Sequence, residues 1–412
     1  MHLEHFFLDN GLEIYICNNN KCYISTLNIL YKVGSKYDPN GKKGLAHLFE
    51  HLMFSGSKNV KNYDYELQKV GGNNNAYTNC DVTNYYCTVP YQNIETAFWI
   101  ESDRMALLNV TEEKLNIQKT VVTEELFESY YSHPYSDSWL NILPLVYSNH
   151  NYKHPTIGYK EDIASVNIND INNFYNYYSP NNAVLVISGN VNITHIHQLC
   201  EKYFGDIEQK EINFSSIENY ESNENRSREK YISKEVPAEV IYLIYPMPVG
   251  KNDQLYYVGQ ILMTILGNGR SSILYKQLVD TKNSIFSSIS VELTETIEKG
   301  LFIISGTIKQ NTTHQEALNI LKIVLDDIKN DIIKEESLQK AKNILKTEYA
   351  LELLNSTNVA DIIANLAVID NISEMDNYNE IIDSITLSQL NDFIHILFNN
   401  NNEFKLIYES NK

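Results

Sequence analysis

Two histidines and a glutamate stand at a spacing that could hold a metal and work on its water: His47, Glu50 and His51, inside Gly44-Leu45-Ala46-His47-Leu48-Phe49-Glu50-His51-Leu52-Met53-Phe54. Residues three and four apart share one face of a helix, so both imidazoles can reach one ion with the carboxylate beside them. Zinc held by two neutral imidazoles and a carboxylate keeps a fourth position for water, the arrangement of catalytic sites. The ion brings the pKa of that water to about 7, and a nearby carboxylate can take its proton and pass it to a leaving amine. H-x-x-E-H is the reverse of H-E-x-x-H and belongs to the inverzincin type of zinc peptidase. Zn2+ is thus the expected cofactor, with His47 and His51 as ligands and Glu50 as general base. The competing reading is an ordinary amphipathic helix. It has to bury three ionisable groups beside Leu48, Leu52 and Phe54, which is costly unless a metal compensates.

The elements that must position these residues can be read around them. Leu45, Leu48 and Leu52 recur at helical spacing, which predicts a helix over 44–54. Ser25 to Val33 suits a strand, ended by the Gly34, Pro39 and Gly41 punctuation. Asp81–Val89 predicts a second strand, Ile94–Leu108 a helix, and Ala183–Gly189 a short buried strand. The polar stretch 214–230 has almost no apolar residues and reads as a linker. Beyond it, Glu239–Tyr245 predicts a strand, followed by a turn and a helix over Tyr256–Leu266. Strand, turn and helix thus recur in the order of the first half, which suggests an internal duplication. The second copy carries only apolar and neutral residues where the first has His47, Glu50 and His51.

Length and composition set the frame. A chain of 412 residues exceeds what one core usually supports, so two domains are expected, at 1–213 and 231–412, joined by 214–230. The expected class is α+β: two related domains, each a mostly antiparallel sheet packed with helices, the first holding the metal and the second without it. A formal charge of −19 argues against nucleic acid as a partner, since phosphate binding needs a basic face. The start MHLEHFFLDNGLEIYI does not read as a signal peptide, and no window approaches a spanning helix. The five cysteines are odd in number and form no C-x-x-C pair, which fits reduced thiols in a cytoplasmic protein.

Taken in order, further motifs carry a resemblance over nearly the whole chain. They are Gly11-Leu12, the H-x-x-E-H segment, Val70-Gly71-Gly72-Asn73-Asn74-Asn75-Ala76-Tyr77-Thr78, and Glu101-Ser102-Asp103-Arg104-Met105. Val121-Val122-Thr123-Glu124-Glu125, Tyr178-Ser179-Pro180-Asn181-Asn182-Ala183 and Gly267-Asn268-Gly269-Arg270-Ser271-Ser272 continue the series. With these the sequence resembles the pitrilysin or insulinase family of zinc peptidases, the group that includes the mitochondrial processing peptidase. The resemblance implies a third zinc ligand from a glutamate on a later helix. That maps onto Glu125, with Glu128 one turn on as the competitor, while Glu124 points elsewhere on the helix. The family often has an acidic residue seven positions before this ligand, where this chain has Gln118; the amide can still hydrogen-bond but carries no charge. The resemblance also implies a strand edge that pairs with the substrate backbone, mapping onto Asn75 and Ala76 and continuing to Tyr77 and Thr78. A Gly-Asn turn followed by a plain strand is the alternative there.

One departure bears on assembly. Family members commonly carry an Arg and, seven residues later, a Tyr in the second half; these stabilise the oxyanion in a facing active site. Here Val279 and Phe286 stand at those positions, and neither can donate a hydrogen bond. The resemblance therefore implies a metalloendopeptidase acting on extended peptides as the zinc-bearing subunit of a heterodimer. Its partner would be a homologous zinc-less chain supplying Arg and Tyr, with a homodimer less favoured. The alternative within the family is a non-catalytic scaffold subunit.

Overall fold

The computed structural model describes residues 3–212, 227–330 and 333–411. Clustering of contacts divides the chain into two compact units. The first comprises 1–129, 154–219 and 350–376, and the second 130–153, 220–349 and 377–412.

The first unit is built on a six-stranded sheet of β1 (Leu3–Phe7), β2 (Glu13–Asn18), β3 (Ile24–Tyr31), β4 (Asn73–Thr78), β5 (Thr83–Pro90) and β6 (Ala183–Gly189). Its order is β1-β2-β6-β3-β5-β4, and only β2 and β6 run parallel. β3 is buried over all but its first residue. Leu27, Ile29 and Tyr31 point to one face; Thr26, Asn28 and Leu30 point to the other. Helices therefore have to cover both sides. Four follow in chain order: α1 (Leu45–Met53), α2 (Tyr63–Lys69), α3 (Ile94–Leu107) and α4 (Glu112–Tyr131).

The second unit repeats the plan. β7 (Arg228–Lys234), β8 (Val240–Pro246), β9 (Phe286–Leu293), β10 (Leu301–Ile308) and β11 (Phe404–Ser410) are ordered β7-β11-β8-β10-β9. Only β7 and β11 are parallel. β2, β6, β3, β5 and β4 thus match β7, β11, β8, β10 and β9 strand for strand and direction for direction, the signature of the duplication. The helix Leu255–Gly267 lies between β8 and β9 in sequence, where α1 and α2 lie between β3 and β4. Both halves are mostly antiparallel sheets packed with helices.

The units differ from a single cut at 214–230 by two exchanged segments. The helix Ser356–Val368 belongs to the first unit. Its Val359, Ala360, Ile363, Ala364 and Ala367 pack with Leu30, Val184 and Val186 and close the second face of that sheet. The helix Ser138–Val146 belongs to the second unit, where Tyr408 donates to Asp137 (2.9 Å) and Lys230 to Asn141 (2.7 Å). Each sheet needs an apolar helix that the adjoining sequence does not supply. Of the expected linker, 214–226 lies outside the described residues, and Arg228 to Lys230 open the edge strand β7. Among the described residues no helix is long and apolar enough to cross a membrane.

Candidate active site

α1 begins where Asp38 receives its first amides. Gly44 N–H (2.7 Å) and Ala46 N–H (2.8 Å) donate to the Asp38 carboxylate, which is buried beside His154 Nε2 (3.3 Å). A buried anion at a helix N-terminus satisfies orphan donors and complements the dipole. Gly44 has φ +95°, and a Cβ there would meet Ile157 O at 2.5 Å, so the entry turn requires glycine. Leu45, Ala46, Leu48, Phe49, Leu52 and Met53 are buried, which fixes the rotation of the helix. His47, Glu50 and His51 are left half-buried on its remaining face.

Behind the end of α1, α3 buries the run Glu101–Arg104. Arg104 pairs with Glu101 at 2.6 Å, and its guanidinium lies 4.7–4.9 Å from the ring centres of Phe54, Tyr63 and Tyr85. Asp103 accepts from Ser57 Oγ, the Asn59 amide and side chain, and Val60 N–H, tying down the loop after α1. The zinc-motif helix is thus anchored at both ends by buried carboxylates and a caged cation.

α4 brings up Glu125. Its two oxygens lie 3.7 Å from His47 Nε2 and 3.3 Å from His51 Nε2. Among the described residues these three form the one group of His, Cys, Asp or Glu whose ligand atoms gather closely enough for a metal, all within 4.8 Å of one another. Glu128 is not part of it. Two imidazole nitrogens and a carboxylate, half-open to solvent, are a donor set suited to zinc with room for water.

The electrostatics are uneven. Burial drives the His47 pKa down, to about 4, against the pull of the Glu125 charge, so this imidazole is neutral. Its Nδ1 is buried without a partner among the described residues. For His51 burial also disfavours the cation, but the hydrogen bond and charge of Glu125, with Glu50 and a hydrogen bond accepted by Gln118, outweigh it and raise the pKa. The hydrogen bond with His51 holds the Glu125 carboxyl below its usual range. Burial raises Glu50, and a hydrogen bond from Thr78 opposes the rise.

Thr78 belongs to β4, the edge strand whose sheet partner is β5 alone. The hairpin closes with Asn79 N–H donating to Val82 O (3.0 Å). By alternation along an antiparallel ladder, Ala76 and Thr78 turn their backbone groups to the open edge. The Ala76 N–H is met there by the side-chain oxygen of Asn75 (2.9 Å). The residues expected at a substrate strand divide into two sets. Asn75 and Ala76 stand on the open edge, the Thr78 hydroxyl turns to Glu50, and the Tyr77 hydroxyl donates to Asp361 (2.7 Å) on the opposite face. Reading the sequence missed Thr78 as the partner of Glu50, Asp38 as the cap of α1, and the role of Arg104. The charged cluster in the middle of the otherwise apolar α3 was the available signal for the last.

Residues 14–158 match the insulinase family (peptidase family M16), and residues 165–345 match the M16 inactive domain. The chain belongs to peptidase family M16. It is 28% identical to the zinc protease PqqE of Helicobacter pylori, over 91% of this chain and 85% of that protein. It is 26% identical to the mitochondrial-processing peptidase subunit beta of Caenorhabditis elegans, over 48% of this chain and 44% of that one. The solved structure of a protease from Helicobacter pylori superposes with a TM-score of 0.93 at 25% identity, covering 99% of both chains. The two-domain M16 fold is therefore present throughout, and M16 relatives of this chain are named as zinc proteases.

Proposed function

We propose that this M16 chain is a zinc-dependent endopeptidase that hydrolyses extended peptides, with His47, His51 and Glu125 holding the metal and Glu50 as general base. The observation that carries the reading is the meeting of His47, His51 and Glu125 beside Glu50, which is held by the strand whose edge lies open. Bound there, zinc supplies the Lewis acidity that makes water a nucleophile at neutral pH. Glu50 takes a proton from the attacking water and returns it to the departing amine. Thr78 holds one Glu50 oxygen and leaves the other for that transfer. Gln118 fixes the His51 ring through its hydrogen bond. A peptide carbonyl takes the place of the Asn75 oxygen on the Ala76 N–H, so the substrate is held by its backbone and side-chain demands stay few.

The second unit supports a divided site. Phe286 is fully buried in its core, and Val279 packs against the same core, so neither position offers a donor to an oxyanion. The working form we propose pairs this chain with a homologous zinc-less chain that supplies Arg and Tyr; a relative named as a subunit, the processing-peptidase beta chain, fits that organisation. Five cysteines, none in a disulfide, fit a reducing compartment, and we assign the protein to the cytoplasm.

The test is metal analysis with a quenched-peptide assay on the chain alone and mixed with its zinc-less relative. One zinc per chain is expected. Glu50→Gln should keep that zinc and lower turnover by about 10²-fold or more. Turnover within a few-fold of wild type would remove Glu50 from the reaction, and a metal-loaded chain inactive in every combination would make it a scaffold subunit.

A further inference from the structure

The edge strand that would receive substrate is mostly polar. β4 reads Asn73-Asn74-Asn75-Ala76-Tyr77-Thr78, has no aliphatic residue larger than alanine, and is paired on one side only. Its Tyr77 ring packs against the apolar cluster that Leu30, Val82 and the helix Ser356–Val368 share, but the rest of the strand is polar, and polar edge strands specify their position weakly. The Asx turn at Asn79, which accepts from Asp81 N–H (2.8 Å) and Val82 N–H (2.9 Å), fixes one end of the hairpin. Beyond its ladder to β5 and a bond from Asn74 Nδ2 to Asp64 (3.2 Å), the middle of the strand is held by something more.

That something comes from far along the chain. Asp361 lies on the helix Ser356–Val368 of the first unit, against the face of the sheet opposite Glu50. One of its oxygens accepts from the Tyr77 hydroxyl at 2.7 Å and from Asn84 Nδ2 at 3.0 Å. Tyr77 and Asn84 face each other across the β4–β5 ladder, so a single carboxylate oxygen spans the rung. Asn365 Nδ2 donates to the same Tyr77 hydroxyl (3.0 Å). Asn84 exchanges hydrogen bonds with Asn28 on β3 at 2.9 Å each way, and both amides are fully buried. The rung next to Tyr77–Asn84 is Thr78–Thr83, and Thr78 is the residue that holds Glu50.

We propose that Asp361 is a positioning residue for the peptidase reaction. It pins the middle of the substrate strand from behind, so that the Ala76 edge and the Thr78 hydroxyl stay where the peptide and Glu50 need them. The proposal rests on the peptidase reading for its consequence but not for its physical content. A charge-assisted bond to a tyrosine hydroxyl in a partly buried layer is among the stronger side-chain contacts available. A sequence position nearly three hundred residues from β4 thereby becomes part of how the first unit presents substrate.

The experiment compares Asp361→Leu, which keeps the volume and loses the acceptor, with Asp361→Asn, which keeps an acceptor oxygen, in the full zinc-loaded chain. Tyr77→Phe removes the hydroxyl alone and serves if Asp361→Leu does not fold. Hydrogen exchange of the 73–78 amides should quicken by about tenfold in Asp361→Leu and Tyr77→Phe, with the α1 amides unchanged. Hydrolysis of an extended peptide should lose about tenfold in kcat/KM, most of it as a raised KM, because the strand edge binds ground state and transition state alike. Zinc content should stay at wild type, and Asp361→Asn should recover most of both losses. Wild-type exchange over 73–78 in the folded variants overturns the proposal, as does faster exchange with unaltered kinetics. If the wild-type chain cleaves no peptide under any pairing, the peptidase reading fails, and the exchange result alone decides whether Asp361 holds β4.

Discussion

The helix after β3 and the helix after β8 hold the same place in the same strand order, with opposite contents. α1 keeps His47, Glu50 and His51 half-buried among six buried residues. Leu255–Gly267 buries Tyr256, Tyr257, Val258, Ile261, Leu262, Ile265 and Leu266, and its Thr264 hydroxyl turns back to Gln260 O (2.9 Å). The fold is therefore satisfied by an entirely uncharged helix at this point. The ionisable trio of the first unit is not what the architecture requires, and its desolvation is a cost that folding alone would remove. The supports differ in the same sense. α1 is capped by Asp38 and backed by the caged Arg104, whereas the second helix is held by apolar packing in a large core. Two copies of one plan thus separate the residues that build the fold from those the fold does not require.

The largest effect that could break this contrast is on the metal. His47→Ala or His51→Ala should each abolish stable zinc binding, since each would remove one of the three proposed ligands. Full zinc occupancy in both variants would leave the two helices chemically equivalent. Glu125→Gln should weaken zinc by more than the roughly 10–100-fold typical of losing an outer partner, while Glu128→Gln should bind as wild type. The opposite ranking, read by chelator competition, would move the third ligand one turn along α4.

A smaller effect follows from pH. His47 is already neutral, its pKa lowered by burial to about 4. His51 is the ligand that resists: burial disfavours its cation, yet the Glu125 hydrogen bond and charge carry its pKa above the ordinary value. Metal must displace that proton, so zinc affinity should fall as pH drops through the raised His51 pKa, by about tenfold per unit. Chelator competition carried below the ordinary imidazole value of about 6.5 should approach a slope of one proton, because His51 is raised above that value while burial holds His47 neutral down to about 4. A slope near two would mean that His47 is not held neutral, and the uneven pair would be an ordinary one.

How much of this the sequence revealed depends on whether a feature is local. His47, Glu50 and His51 were legible because helical spacing alone gathers them. β6 and β8 were legible because strands buried on both faces read as apolar runs, and β3 because Gly34 and Pro39 punctuate its end. β7 was missed, since Arg-Glu-Lys-Tyr-Ile-Ser-Lys on an exposed edge has the composition of a linker. The exchange of the helices Ser356–Val368 and Ser138–Val146 was missed for a different reason. An apolar helix face records that it must be covered but not which sheet covers it. The same blindness hid the Thr78–Glu50 and Tyr77–Asp361 bonds, which join residues far apart in the chain. The motif put Tyr77 and Thr78 on one strand, but it could not say that their hydroxyls point to opposite faces.

The smallest effect falls in the second unit. If that half has closed over the position where the family resemblance implies a tyrosine, adding the hydroxyl should cost stability and do nothing for the metal. Phe286 has no exposed surface, and its ring lies directly over Gly306: a Cβ built there would come within 2.6 Å of the ring. Phe286→Tyr places a hydroxyl in or at the margin of a packed apolar core. A buried polar group left unsatisfied costs about 1–3 kcal/mol. For a unit of this size that is about 2–4 °C in Tm for each kcal/mol. Zinc content should be unaltered, since every proposed ligand lies in the first unit. A variant as stable as wild type and more active alone would show that the hydroxyl reaches a catalytic site, and that two copies of this chain can serve each other. A destabilised variant with unchanged turnover would leave the second unit as the apolar half, closed where its counterpart is open.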